Sequence, residues 1–194
     1  MKPSTVLAAV FVALGCAPFA NADPVLLVNG SGVLTGAHNV DVGGTLYDVT
    51  FVDGTCTDVF GGCDSDSDFN FATFADAAAA ANALLGQVFV DAPSVGNFDT
   101  HPELTLGCTD PSQCFAAIPT GITTGGGVVF GAVAYNSAVS NLLTNFNFRT
   151  DFDTSTDTQA VWAEFTVAPP VPEPASLVLL GSGLGILMRR RRSG

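Results

Sequence analysis

The chain has 194 residues, with 18 acidic against six basic side chains and a formal net charge of −12. Hydrophobic residues make up 47% of it, which excludes a disordered polyelectrolyte and leaves enough apolar surface for one packed domain. The acidic balance also excludes a nucleic-acid binder, because phosphate would be repelled.

Lys2 supplies a positive n-region, residues 6–14 an apolar h-region, and Ala20-Asn21-Ala22 an A-x-A cleavage site. Together they predict a secretory signal peptide over residues 1–22, with Asp23 as the first residue after cleavage. Ala13-Leu14-Gly15-Cys16 offers a lipoprotein-like alternative, but it lacks the leading Leu and the A-x-A site follows closely. Export of this kind implies the Sec translocon and signal peptidase as partners.

A globular domain is expected over residues 23–168. Residues 25–28 are apolar and predict a first strand. A second run, 32–42, leads to Gly43-Gly44, and 45–52 follows with Tyr47, Val49 and Phe51 alternating against Asp48 and Thr50. Two alternating runs around Gly-Gly predict a hairpin, closed off by a turn at Asp53-Gly54. Thr73, with Asp76 three residues on, predicts a capped helix start. Phe74, Ala77, Ala78, Ala81, Leu84 and Leu85 form its apolar stripe, and Gly86 ends it. The small alanines predict a helix lying close against a sheet.

Residues 88–90 predict a short strand. Residues 91–124, rich in Pro, Gly, Thr and Asp, predict a long loop. After Gly125-Gly126-Gly127 a strand is expected over 128–135, while 137–148 reads as either strand or helix. In 160–167, Val161, Ala163, Phe165 and Val167 alternate against Trp162, Glu164 and Thr166, which predicts a half-buried final strand. Phe51-Val52-Asp53 and Phe89-Val90-Asp91 echo each other as two strand ends of similar chemistry. The pattern predicts an α+β fold, an antiparallel sheet with one packed helix, with a β-sandwich as the alternative.

Beyond Cys16 in the leader, four cysteines remain: Cys56, Cys63, Cys108 and Cys114. An even number in an exported chain predicts disulfides. Of three connectivities, Cys56–Cys63 with Cys108–Cys114 closes the shortest loops and is favoured. Zinc is the alternative, but its cysteines sit two to four residues apart, closer than these.

Asp64, Asp66, Asp68 and Asn70 occupy alternate positions, a spacing that suits calcium in a loop and a solvated face in a strand. The match to a calcium-binding helix-loop-helix then fails, with Phe69 at the glycine position and Ala75 at the bidentate glutamate position. Asp151, Asp153 and Asp157 form a second acidic cluster. The only histidines are His38 and His101, and no nucleophile motif accompanies them. No catalytic residue is assigned, no resident cofactor is expected unless calcium binds, and a secreted hydrolase is the least favoured reading.

Pro169-Pro170 begins a linker that runs through residues 169–174. It ends in Pro172-Glu173-Pro174, where fixed proline φ angles favour an extended, accessible triplet. Residues 175–188 are an apolar run of 14. As a helix this spans about 21 Å, short of the bilayer core at about 30 Å. Arg189, Arg190, Arg191 and Arg192 follow in a basic end, 189–194, and would remain cytoplasmic by the positive-inside rule. Gly181 and Gly185 give a G-x-x-x-G spacing for a membrane helix contact.

Triplet, apolar run and arginine cluster, in that order, resemble the PEP-CTERM sorting signal. The resemblance covers residues 172–192 and implies processing near Pro172-Glu173-Pro174 by exosortase, an integral-membrane enzyme resembling a cysteine-type transpeptidase. It implies transient residence in the inner membrane and a destination at the cell surface or outside it, in bacteria that commonly make exopolysaccharide.

Removal of both end segments changes the composition. Residues 23–174 hold one base, Arg149, against all 18 acids, a net charge of −17. The delivered domain is expected to be a structural or interaction protein of the cell surface or extracellular matrix, with exopolysaccharide as its partner. A calcium-assisted carbohydrate-binding module is the alternative.

Overall fold

The computed structural model describes residues 23–169. The expected signal peptide, the linker from residue 170, the apolar run 175–188 and the basic end 189–194 lie outside the described residues. No helix among the described residues is long and apolar enough to cross a membrane.

Nine strands and two α-helices organise this region. In chain order they are β1 (Val25–Val28), β2 (Leu34–Val42), β3 (Thr45–Val52), α1 (Cys56–Phe60), α2 (Phe74–Ala83), β4 (Asp91–Ala92), β5 (Gly96–Asn97), β6 (Gln113–Ile122), β7 (Val128–Ser137), β8 (Leu142–Arg149) and β9 (Ala160–Val167). Seven strands form one open sheet in the order β1-β2-β3-β9-β6-β7-β8, and β4 with β5 forms a separate small hairpin.

The β2–β3 hairpin turns where its sequence predicts. Gly43 and Gly44 have φ of 61° and 91°, the left-handed conformation that a tight hairpin turn demands and that glycine adopts without penalty. The Asp41 carboxylate accepts the Gly44 N–H at 2.6 Å and closes the turn. The antiparallel expectation fails at one place: β6 pairs with β9 in parallel, Phe115 opposite Ala160 through Ala117 opposite Trp162. β9 slots between β3 and β6, so the two halves of the sheet meet along a parallel seam.

Strand β6 is the largest departure from the sequence reading, which treats residues 91–124 as loop. Pro119 and Gly121 argue against a central strand because proline cannot donate to a ladder. The register shifts between those two residues, so both sit in a bulge and the ladder continues on either side. The expected strand at 88–90 is also absent: Val88 closes a wide π-type turn, Leu84–Val88, that extends α2 past Gly86. Of residues 137–148, Ser137 ends β7, 138–141 form the connection, and Leu142 onward is strand β8.

Helix α2 starts at Thr73, whose hydroxyl accepts the Asp76 N–H at 3.2 Å. Its buried positions are Ala77, Ala80, Ala81 and Ala83, while Phe74 is exposed. The stripe is therefore rotated from the predicted one, toward small residues that let the helix lie against β6, β7 and β2. Leu34, Val49, Phe51, Ile118 and Phe165 share this core. Phe51 stacks on Phe89 with ring centroids 5.5 Å apart, so the echoing segments meet in space.

The opposite face of the sheet is not solvated as the alternation of β9 predicts. Trp162 is completely buried there with Val129, Val133 and Phe146, beneath the 56–63 disulfide loop. Phe60, Phe146 and Phe148 meet its indole edge-on, and its Nε1–H donates to the Gly54 carbonyl at 3.0 Å.

Gly131 sits in β7 where a Cβ would stand 2.1 Å from the Ile118 carbonyl oxygen. Gly131→Ala is expected to lower stability by about 1–3 kcal/mol, the usual cost of overpacking a rigid site. A denaturant midpoint measures it, and an unchanged midpoint would contradict this approach of β6 to β7.

Both ends of the domain leave the sheet on the same side. Val25 opens β1 opposite His38, whose Nδ1 lies 3.0 Å from Asp48 Oδ2, and Asp48 pairs with Thr166 near the end of β9. Three strand spacings separate Val25 from Thr166, about 14 Å at about 4.8 Å each.

Candidate functional site

The two disulfides join the cysteines that close the shortest loops. Cys56 and Cys63 have Cα atoms 5.8 Å apart, and Cys108 and Cys114 5.6 Å, distances that suit a disulfide. The first loop contains α1, capped by Thr55, whose hydroxyl accepts the Asp58 N–H at 3.2 Å. The second anchors the start of β6, where Asp110 accepts the Ser112 N–H at 2.8 Å and the Gln159 amide at 2.7 Å.

The 64–70 segment forms a 3-10 turn, Asp66–Asp68, rather than a strand. Asp68 accepts the N–H groups of Asp64 and Ser65, each at 3.1 Å, completing a capping box with Ser65. Asp66 Oδ1 accepts the Ile122 N–H at 2.8 Å and pins the turn to β6. Asn70 donates its side-chain amide to the Phe165 carbonyl. Of the four residues of the calcium expectation, Asp66, Asp68 and Asn70 thus use their side chains in separate structural contacts, and Asp64 takes part through its backbone N–H. Among the described residues, no group of three or more His, Cys, Asp or Glu side chains is arranged to hold a metal ion.

The second acidic cluster divides in the same way. Asp151 takes two hydrogen bonds from Arg149, at 2.8 and 2.9 Å. Both side chains are well exposed, so the pair contributes little to stability. Asp153 caps Ser155, and Asp157 accepts the Gln159 N–H at 2.7 Å. Thr154 between them is fully buried. Its hydroxyl lies 3.1 Å from Asp53 Oδ1 and accepts the Gly54 N–H at 3.1 Å. Burial pushes the Asp53 carboxyl above its ordinary range; the Thr154 bond opposes this, and repulsion from Asp153 adds to it. An open concavity of about 500 Å³ lies alongside, lined by Asn147, Arg149, Asp151, Phe152 and Thr156 among others.

His38 lies on β2 beside Asp48, and His101 lies 3.0 Å from Glu103 Oε1 in a different part of the domain. Among the described residues neither imidazole hydrogen-bonds a Ser or Thr hydroxyl.

One feature missed in the sequence unites these clusters. Asp41, Asp48, Asp66, Asp68, Asp91, Asp110, Asp153 and Asp157 each accept at least one backbone N–H. These acids lock turns and strand irregularities, and five of them, Asp66, Asp68, Asp110, Asp153 and Asp157, sit next to Ser or Thr. At Asp91, burial works to raise the pKa, but the Thr100 N–H, the Thr100 hydroxyl and the Asp99 N–H outweigh it and hold the carboxyl below its usual range. Asp110 is lowered by the Ser112 hydroxyl, then the Ser112 N–H and the Gln159 amide.

These depressed values fix the sign of a pH effect. A carboxyl whose folded pKa lies below its unfolded value, about 3.9, stabilises the fold above that value and loses the contribution as pH falls through the folded one. The melting temperature is therefore expected to drop below about pH 4. Asp110→Asn and Asp91→Asn should each make that drop shallower. Wild-type and variant curves that run parallel from pH 6 to pH 3 would contradict the assignment.

No curated protein and no solved structure matches this chain. The sorting residues Pro172, Glu173, Pro174 and Arg189 to Arg192 lie outside the described residues, but their pattern is matched directly by a family. Residues 170–192 match the PEP-CTERM protein-sorting motif, so this chain carries the address of an exported protein targeted by exosortase.

Proposed function

We propose that the protein is a non-catalytic structural or interaction protein of the cell surface or extracellular matrix, cut from its sorting tail after export and engaging exopolysaccharide there. The PEP-CTERM match over residues 170–192 carries this reading. The geometry of the ends supports it. Signal peptide and tail join the domain on the same side of the sheet, so one end of the folded domain would face the membrane during both cleavages. From Val167 to Pro172 is five residues, a reach of at most about 18 Å. The processing enzyme would therefore work close beside the folded domain. Two disulfides and loops locked by aspartates suit a domain that must last outside the cell.

The test compares cells with and without exosortase. The wild type is expected to yield a shortened protein in the surface and matrix fractions. Cells lacking exosortase should retain the full tail in the membrane fraction. Release into the medium as a freely soluble protein, with exopolysaccharide present, would contradict the surface role. Turnover of a polysaccharide by the purified protein would contradict the non-catalytic assignment.

A further inference from the structure

The two edges of the seven-stranded sheet are defended very differently. β1 is four residues long, has a register shift between Leu27 and Val28, and follows Asp23-Pro24. Short length, irregularity and charge are the devices that keep a sheet edge from pairing with another chain. β8 has neither the short length nor the irregularity, and its one charge, Arg149, stands at its very end. It is eight residues long and pairs with β7 without a shift, from Val128 opposite Arg149 to Tyr135 opposite Leu142. It contains no proline and no acidic residue. Among the described residues, no backbone N–H of β8 donates to anything outside the sheet ladder.

Charge makes the same edge the place where two copies can meet. From Pro111 to Thr150, across β6, β7 and β8, the only charged residue is Arg149. Elsewhere two acidic domains repel each other within the screening length of about 8–10 Å. We infer that β8 pairs antiparallel with β8 of a second copy, joining two sheets into one.

Side-chain alternation restricts the register. A two-fold axis normal to the sheet must set residues of equal parity opposite each other, or side chains would point to the wrong face. An axis through Asn145 meets this rule and brings Arg149 of one copy opposite Asn141 of the other. The Asn141 amide holds Asp99 at 2.5 Å, so Arg149, which holds Asp151 of its own chain, also meets Asp99 of its mate. Such a contact is self-complementary and closes at two copies, since the β1 edge is blunted.

This inference rests on the structural reading proposed above but has its own readout. The protein recovered after export is measured by light scattering and sedimentation over a concentration series reaching about 100 μM. A dimer is expected. Asn145→Lys with Asn147→Lys places like charges across the paired edge and should weaken dimerisation roughly tenfold or more, with an unchanged circular dichroism spectrum. The same two charges at Ala75 and Ala79, on the exposed side of α2, should leave the dimer intact. A monomeric wild type, an open-ended filament, or an undiminished dimer in the Asn145/Asn147 variant would overturn the pairing. Surface retention is read separately by fractionation, so a monomer found at the cell surface would refute the pairing alone.

Discussion

Replacing Pro172, Glu173 and Pro174 together by alanine is expected to abolish the processed form of the exported protein. The two prolines fix φ and drive the residues before them toward extended geometry, which presents the triplet to an enzyme. Three alanines are strong helix formers and would let the apolar run 175–188 continue upstream as helix. The triplet lies beyond β9, so the melting temperature of the domain should not change. Mass spectrometry and electrophoresis of the membrane fraction read the outcome: accumulation of a chain that retains Arg189 to Arg192. Normal shortening of the alanine variant would show that the triplet does not direct the cut.

Trp162→Ala carries the largest expected effect on stability. The indole is completely buried, is met edge-on by three phenylalanines, and donates its N–H to Gly54. Removing so large a buried side chain costs about 3–5 kcal/mol. A domain of this kind holds about 5–15 kcal/mol in all, so the variant should be close to unfolding. Trp162→Phe keeps most of the packing and removes one donor from the Gly54 carbonyl, which keeps the Thr154 N–H at 3.1 Å, so the hydrogen-bond loss is about 0.5–1.5 kcal/mol. Circular dichroism during denaturation measures both, because Trp162 is the only tryptophan and its fluorescence leaves with it. A loss under about 1 kcal/mol for the alanine variant would mean that the disulfide-loop side of the sheet is not a true core.

Much of the architecture was legible where a single physical rule acts. Strand β3 and strand β9 show period-two alternation, and the Gly43-Gly44 turn between β2 and β3 has the glycines its backbone requires. The disulfide pairs follow from loop closure. Strand β6 was hidden because Pro119 and Gly121 are strand breakers by composition, and only the bulge that absorbs them makes the strand possible. The burial of Trp162 was hidden for a different reason. Alternation says that one face differs from the other, not that the second face is wet, and the 56–63 loop that covers it comes from far away in sequence.

The candidate sites divide along the same line. The sorting tail is written in composition and order alone, so it was readable without a fold. Alternate aspartates at 64–70 fit a metal loop and a strand face equally well by spacing. The segment folds as a 3-10 turn, for which Ser65-x-x-Asp68 is the local signal: the capping box that turns Asp68 toward the backbone. The loop-locking role of the other aspartates depends on contacts that the sequence does not display, such as Asp66 reaching Ile122.

The central claim is that an acidic, disulfide-pinned domain is delivered by end segments that are then discarded. Intact-mass analysis of the exported protein tests it most directly. The predicted mass belongs to a chain that starts at Asp23, ends upstream of Arg189, and lacks the four thiol hydrogens of its two disulfides. A mass that extends through Arg192, or one that retains free thiols at Cys56, Cys63, Cys108 and Cys114, would contradict it.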